Sequence, residues 1–233
     1  MIDYQQSIDY QSDQFKEKIA VPLLESLQSL PTKKVEKTYK YIFLLNHLKS
    51  RPELKKFWNE YLNWSISFLY ESFVSASLGQ KHGCYFLLRS SLENFVKFIC
   101  VAIGKEEEID NRVFKKNNHI LVTYNWPKDI FKLQSKATSF QTMYNEFSKL
   151  SHSATKLNNQ SPITYFQKIV ESFDKEYNDA MESIQSLSVC YMYFIIFICK
   201  KSLKKWDTED LTSILKISCT KHEAEVILNL IKK

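Results

Sequence analysis

The chain has 233 residues, 44% of them hydrophobic and 14% aromatic, enough for one large or two small domains with a ring-rich core. Three Gly and five Pro leave few residues for tight hairpin turns, which argues against a sheet-rich fold and for long helices. The net charge of +6 permits a nucleic-acid partner without requiring one, and of 32 basic residues only Arg51, Arg89 and Arg112 carry the planar guanidinium fork.

In chain order, the stretch from Ile2 to Leu30 carries apolar residues at Ile8, Phe15, Ile19, Leu23, Leu27 and Leu30, with Pro22 as a kink or break. Pro31 opens a second helix running to about Ser50, strongly apolar at Tyr41, Phe43, Leu44, Leu45 and Leu48. Pro52 starts a third, with Leu54, Phe57, Trp58, Tyr61, Leu62, Ile66, Leu69, Phe73 and Leu78 at helical spacing and Gly79 as its C-terminal stop. A fourth helix spans about Gly83 to Ala102 and is stopped by Gly104. From Lys105 to Lys136 the pattern is least regular: a short helix is expected around 107–116, then loop and another helical turn.

A fifth helix is expected from about Thr138 to Ser151, then a polar break from Ser153 to Ser161. A long helix follows from Pro162 or Phe173 to Lys204, and two short helices finish the chain. The last of these opens on Thr220-Lys-His-Glu223, a capping-box pattern. These elements predict an all-α single domain over 1–233. It is an up-down helical bundle with its core at about 52–204, N-terminal helices at 2–50 and C-terminal helices at 207–232.

Five cysteines, Cys84, Cys100, Cys190, Cys199 and Cys219, form no CxxC pair and read as core thiols in a reducing compartment. The first ten residues lack the apolar run of a signal peptide, so a cytoplasmic location is expected. Leu187–Cys199 is uncharged for 13 residues, short of the roughly 20 that span a bilayer, and reads as a central buried helix rather than a membrane anchor. The runs Lys115-Lys116, Lys200-Lys201 and Lys204-Lys205 read as solvated helix ends or faces.

No glycine-rich phosphate loop, HExxH pair, clustered Cys/His set or G-x-S-x-G elbow occurs, so no metal site and no cofactor are expected. What remains is two polar stripes. On the fourth helix Tyr85, Leu88, Leu92, Phe95 and Ile99 form an apolar face, with Arg89 and Glu93 together on another, one turn apart. Phe86, Cys100 and Val101 extend the apolar surface, so this helix is expected to be buried nearly all round. In such burial, removing one partner of the Arg89–Glu93 pair would cost roughly 3–5 kcal/mol.

On the fifth helix Met143, Tyr144, Phe147 and Leu150 face the core, while Asn145, Ser148 or Lys149, and His152 form a second polar stripe. If the two helices are neighbours, Arg89, Glu93, Ser148 and His152 converge. The same residues also read as an ordinary helix salt bridge and a histidine beside the last carbonyls of its helix.

The segments Arg89-Ser-Ser-Leu-Glu93-Asn-Phe and Tyr144-Asn-Glu-Phe-Ser148-Lys-Leu-Ser-His152 resemble the paired RSxLE and YxxLSxxxH motifs of bacterial helical proteins of the HEPN superfamily type. The resemblance covers roughly residues 57–200. It implies a bundle of four to five helices, frequently dimeric, many of whose members are metal-independent ribonucleases in antiviral defence, abortive infection or toxin–antitoxin systems. It places His152 in an active cleft lined by Arg89 and Glu93, with Asn145, Ser148 and Lys149 toward the substrate. The chain departs from the best-known nuclease signature of that superfamily, since no Arg precedes His152 on its helix. Arg112 and His119, six residues between them, offer a second match or a basic loop near the cleft.

The expectation is a cytoplasmic homodimer that cleaves RNA, with a protein partner encoded nearby and no membrane association. The alternative is a non-catalytic helical interaction module, such as a regulatory partner or neutraliser of a toxin. A third reading is an effector anchored in a membrane by Leu187–Cys199.

Overall fold

The computed structural model describes residues 13–14, 17–18, 21–22, 25, 32–49, 51–56, 60–127, 132–152 and 162–232. Among them the structure is all-helical, with no strand. The helices are α1 (Thr32–Lys49), α2 (Pro52–Lys56), α3 (Glu60–Ser77), α4 (Lys81–Ala102), α5 (Phe114–Thr123), α6 (Leu133–His152), α7 (Pro162–Ile198), α8 (Lys200–Leu203), α9 (Thr208–Ser218) and α10 (Lys221–Lys232). Most of the expected N-terminal helix over 2–30, Phe57 with Trp58, and the polar break from Ser153 to Ser161 lie outside the described residues.

Helix ends follow local chemistry. Gly79 and Gly104 adopt φ of 70° and 75°, the left-handed geometry that an L side chain resists, and they close α3 and α4. Asp207 caps α9 by accepting from the backbone N–H groups of Glu209 and Asp210 at 2.9 and 3.0 Å. At the start of α10 the expected capping box is formed: the Thr220 N–H donates to Glu223 Oε2 at 2.9 Å, and the Glu223 N–H returns to Thr220 Oγ1 at 3.3 Å.

Cross-helix contacts fix the directions. Ser91 meets Tyr191 and Lys81 meets Glu176, so α4 and α7 run the same way. Lys34 reaches Asn178 and Glu182 while Gln185 donates to Thr38, so α1 also runs with α7. The short turn at Gly79 sends α3 back along α4, and Tyr85–Phe147 with Glu93–Tyr144 sets α6 antiparallel to α4. Helix α7 is the core element expected of it: Leu187, Tyr191, Phe194 and Ile195 are fully buried, as is Cys199 just beyond its end. Its segment Lys175–Ile198 is long and apolar enough to cross a membrane, and about half of it (56%) is covered by the other helices. Cys84, Cys100, Cys190 and Cys199 are buried free thiols, as expected of core cysteines, and Cys219 is half-buried. Burial pushes Cys84 and Cys100 up to about 12, which leaves them as unreactive thiols.

Three expectations change. Helix α1 is no peripheral addition, because Leu44, Leu45 and Leu48 are sealed in the same core as α7. The long helix ends at Ile198, and a turn at Cys199 separates it from α8. The irregular segment forms a 3-10 turn at Glu106–Glu108 and places its helix later than 107–116, at Phe114–Thr123. The delay has a tertiary cause. The Asp110 N–H donates to buried Asn117 Oδ1 at 2.8 Å while Asn117 Nδ2 donates to the Asp110 carbonyl at 2.7 Å, a clip that holds residues 110–113 in a bend ahead of the helix. Beyond α5, Trp126 plugs the core edge-on to Phe194 and Phe197, with its Nε1–H donating to the Leu121 carbonyl at 2.7 Å.

A candidate site on the seam between α4 and α6

Helix α4 is not buried all round. Phe86 is 54% exposed, and Arg89, Glu93 and Lys97 follow it on a half-open face. Antiparallel α6 packs beside this face and brings Tyr144, Ser148 and His152, each one turn from the next, along the seam.

The geometry centres on Glu93. Its Oε1 accepts from Arg89 Nε at 3.1 Å and from the Tyr144 hydroxyl at 2.9 Å. The guanidinium also lies over the Tyr144 ring at 5.3 Å, and that ring stacks on Phe114 of α5 at 4.0 Å and 5°. Arg89 is thus held from its carboxylate side and from beneath, and its Nη1 reaches His152 Nε2 at 3.3 Å. An arginine has only donors, so this contact requires the lone pair of a neutral imidazole, with the ring proton on Nδ1. Burial alone would lower the Arg89 pKa. The hydrogen bond to Glu93 and the charge of Glu93, with Tyr144 beside them, outweigh it, so the guanidinium is held above its ordinary value. Burial, then the bond to Glu93, raises Tyr144 and keeps its phenol protonated as a donor.

The structure therefore brings together three of the residues expected to meet, Arg89, Glu93 and His152. Ser148 sits between Tyr144 and His152, its buried hydroxyl without a hydrogen-bond partner among the described residues. Asn145 and Lys149, each one residue further round α6, turn to solvent, and Asn145 accepts from Gln141 at 3.0 Å. Arg112 and His119 are exposed and neither joins the cluster: the Arg112 N–H donates to Asp110 Oδ1 at 2.8 Å, and the His119 carbonyl accepts from Thr123. Tyr144 is the member that periodicity assigned to the core alone: its ring does pack inward, but its hydroxyl reaches Glu93. The available signal was a tyrosine on a packing face otherwise lined by Phe140 and Phe147, because a half-buried phenol needs a partner.

A cavity of about 520 Å³ opens on the neighbouring face of α6, lined by Tyr85, Met143, Glu146, Phe147 and Asp179 among others, but not by Arg89, Glu93 or His152. Among the described residues no group of three or more His, Cys, Asp or Glu is placed to hold a metal ion. What the seam can do chemically is present a fixed guanidinium beside an exposed imidazole, a combination suited to an anionic oxygen and a mobile proton. Compared with family models, with curated proteins and with solved structures, the chain matches none, so the functional reading rests on these residues themselves.

Proposed function

We propose that the chain is a metal-independent endoribonuclease acting through the α4–α6 seam. The observation that carries this reading is the 3.3 Å contact between Arg89 Nη1 and His152 Nε2 on a solvent-reached edge, with Arg89 anchored by Glu93 and Tyr144. In the proposed reaction a phosphodiester displaces His152 from the guanidinium. Arg89 then neutralises charge on the non-bridging oxygens, and the freed Nε2 takes the proton of the ribose 2′-OH. The 2′-oxygen bonds to phosphorus as the bond to the 5′-oxygen breaks; that oxygen takes a proton from solvent water and leaves as a 5′-hydroxyl, opposite a 2′,3′-cyclic phosphate, and His152 returns its proton to solvent. Glu93 and Tyr144 orient Arg89 and touch no substrate.

The setting that goes with this reading is a cytoplasmic homodimer in bacterial antiviral defence or a toxin system. The test is incubation of wild type and His152→Ala with total RNA and tRNA in EDTA, with thermal unfolding of both proteins. Cleavage by wild type alone, at equal stability, is expected. A well-folded wild type that leaves RNA intact would favour the interaction-module reading, in which the Glu93 bonds serve to tie α4 to α6.

A further inference from the structure

The sequence assigns Lys200-Lys201 and Lys204-Lys205 to solvated helix ends or faces, and Arg51 to no role at all. The structure sets them beside an aromatic ladder. Tyr39, Phe43, His47 and Arg51 follow one another at one-turn intervals along α1 and past its end. Tyr39 is 55% exposed and Phe43 45% exposed. The His47 ring stacks on Phe43 at 6.4 Å and on Trp206 at 5.2 Å with a 17° interplanar angle. The Arg51 guanidinium lies 4.1 Å from the Trp206 ring centroid and closes the ladder with a positive charge.

The lysines are fixed next to this ladder by the turn at Cys199. Cys199 and Leu203 are buried, and Glu53 Oε1 accepts from the Ser202 N–H at 2.6 Å, pinning the far side of α8. Lys201, Lys204 and Lys205 are exposed along the segment that leads into Trp206, with Lys200 half-exposed. Of the carboxylates on these elements, Glu53 holds α8, Asp207 caps α9 and Glu36 on α1 pairs with Lys40 at 2.9 Å, while Glu209 and Asp210 stand exposed in the first turn of α9.

We propose that this ladder and its lysines form a binding surface for single-stranded nucleic acid, distinct from the Arg89–His152 seam. Bases stack on the exposed rings of Phe43 and Tyr39, and phosphates engage Arg51 and the lysines of α8 and the turn after it. Exposed rings in series favour a single strand, whose bases are free to stack, over a duplex or an acidic protein face. The surface does not depend on the cleavage reading, and the test keeps the two apart by using a strand without 2′-hydroxyls.

The experiment is fluorescence anisotropy with a labelled oligothymidylate, competed by long-chain polyphosphate, which has the charge but no bases. Wild type is expected to bind both. The triple charge reversal Lys201→Glu, Lys204→Glu, Lys205→Glu should weaken both by tenfold or more and lower the salt slope by about 0.7 for each phosphate no longer neutralised. Phe43→Ala, at an exposed position, should weaken oligothymidylate by about fivefold or more and leave polyphosphate unchanged. No binding of oligothymidylate by wild type, an unchanged affinity in the triple variant, or an equal effect of Phe43→Ala on the two ligands would each overturn the proposal.

Discussion

Two regions of α4 are built from different chemistry: its middle, where Phe95 meets α7 well inside the half-buried Lys81–Glu176 pair at its start, and its edge along α6, where Arg89 and Glu93 lie. Toward α7, Phe95 stacks on Tyr191 at 3.6 Å, both fully buried. The polar atoms there form a closed neutral chain: the Ser91 hydroxyl donates to the Ser65 carbonyl at 2.8 Å, so the Tyr191 phenol donates to Ser91 at 2.9 Å. Burial drives the Tyr191 phenol far above its usual value, which fixes it as a donor. Along the edge shared with α6, outside the buried Phe140 and Phe147, the ties are charged, and their side chains keep 28% (Arg89) and 32% (Glu93) of their surface in solvent. A sealed contact of satisfied neutral groups stabilises and can do little else. A half-open contact between ions contributes less to stability and stays available to an incoming charge.

Variants in the two regions should separate accordingly. The largest loss is expected for Phe95→Ala, about 3–5 kcal/mol in denaturant unfolding, from reduced burial and the cavity left against Tyr191, Phe140 and Phe194. Ser91→Ala should follow at about 1–3 kcal/mol, because it strands the Tyr191 hydroxyl in a sealed core. For Glu93→Gln the expectation is only about 1 kcal/mol. That is well below the roughly 3–5 kcal/mol a sealed ion pair would give, and a loss of that larger size would mean the seam is closed in solution. Smallest is His152→Ala, within about 0.5 kcal/mol of wild type, as befits an exposed side chain.

The ladder adds a pH dependence of its own. Burial, then the nearby Arg51 charge, lowers the His47 pKa in the folded chain below its ordinary value. The unfolded chain therefore binds this proton more readily, and stability contributed at His47 is full above about pH 6.5 and declines as pH falls toward the folded value. The melting temperature of wild type should fall between pH 7.5 and 5.5 by more than that of His47→Gln. Equal falls would mean that His47 does not set this dependence.

Much of this arrangement was readable from the chain. Pro52, Gly79, Gly104 and the Thr220–Glu223 box mark helix ends through interactions spanning a few residues, and a sequence displays such interactions directly. The segment around α5 was not readable, because Asn117 supplies hydrogen bonds to Asp110 that only exist once the chain has turned back. At the seam, the one-turn spacing of Arg89 and Glu93 and the stripe ending at His152 pointed to residues that do meet. Periodicity could not separate Ser148, on the line through Tyr144 and His152, from Asn145 and Lys149 one residue off it. Nor could it show that Tyr144 packs with its ring and binds with its hydroxyl, since that depends on Phe114 arriving from α5. The ladder escaped because its top rung, Trp206, comes from a segment far along the chain.

The most direct test of the division between the two regions is a paired measurement of RNA cleavage in EDTA and melting temperature for Ser91→Ala and His152→Ala. Ser91→Ala is expected to melt lower yet cleave at the wild-type rate per folded molecule, while His152→Ala melts as wild type and cleaves nothing. Cleavage that survives His152→Ala, or a melting temperature in that variant that falls as far as in Ser91→Ala, would contradict the division.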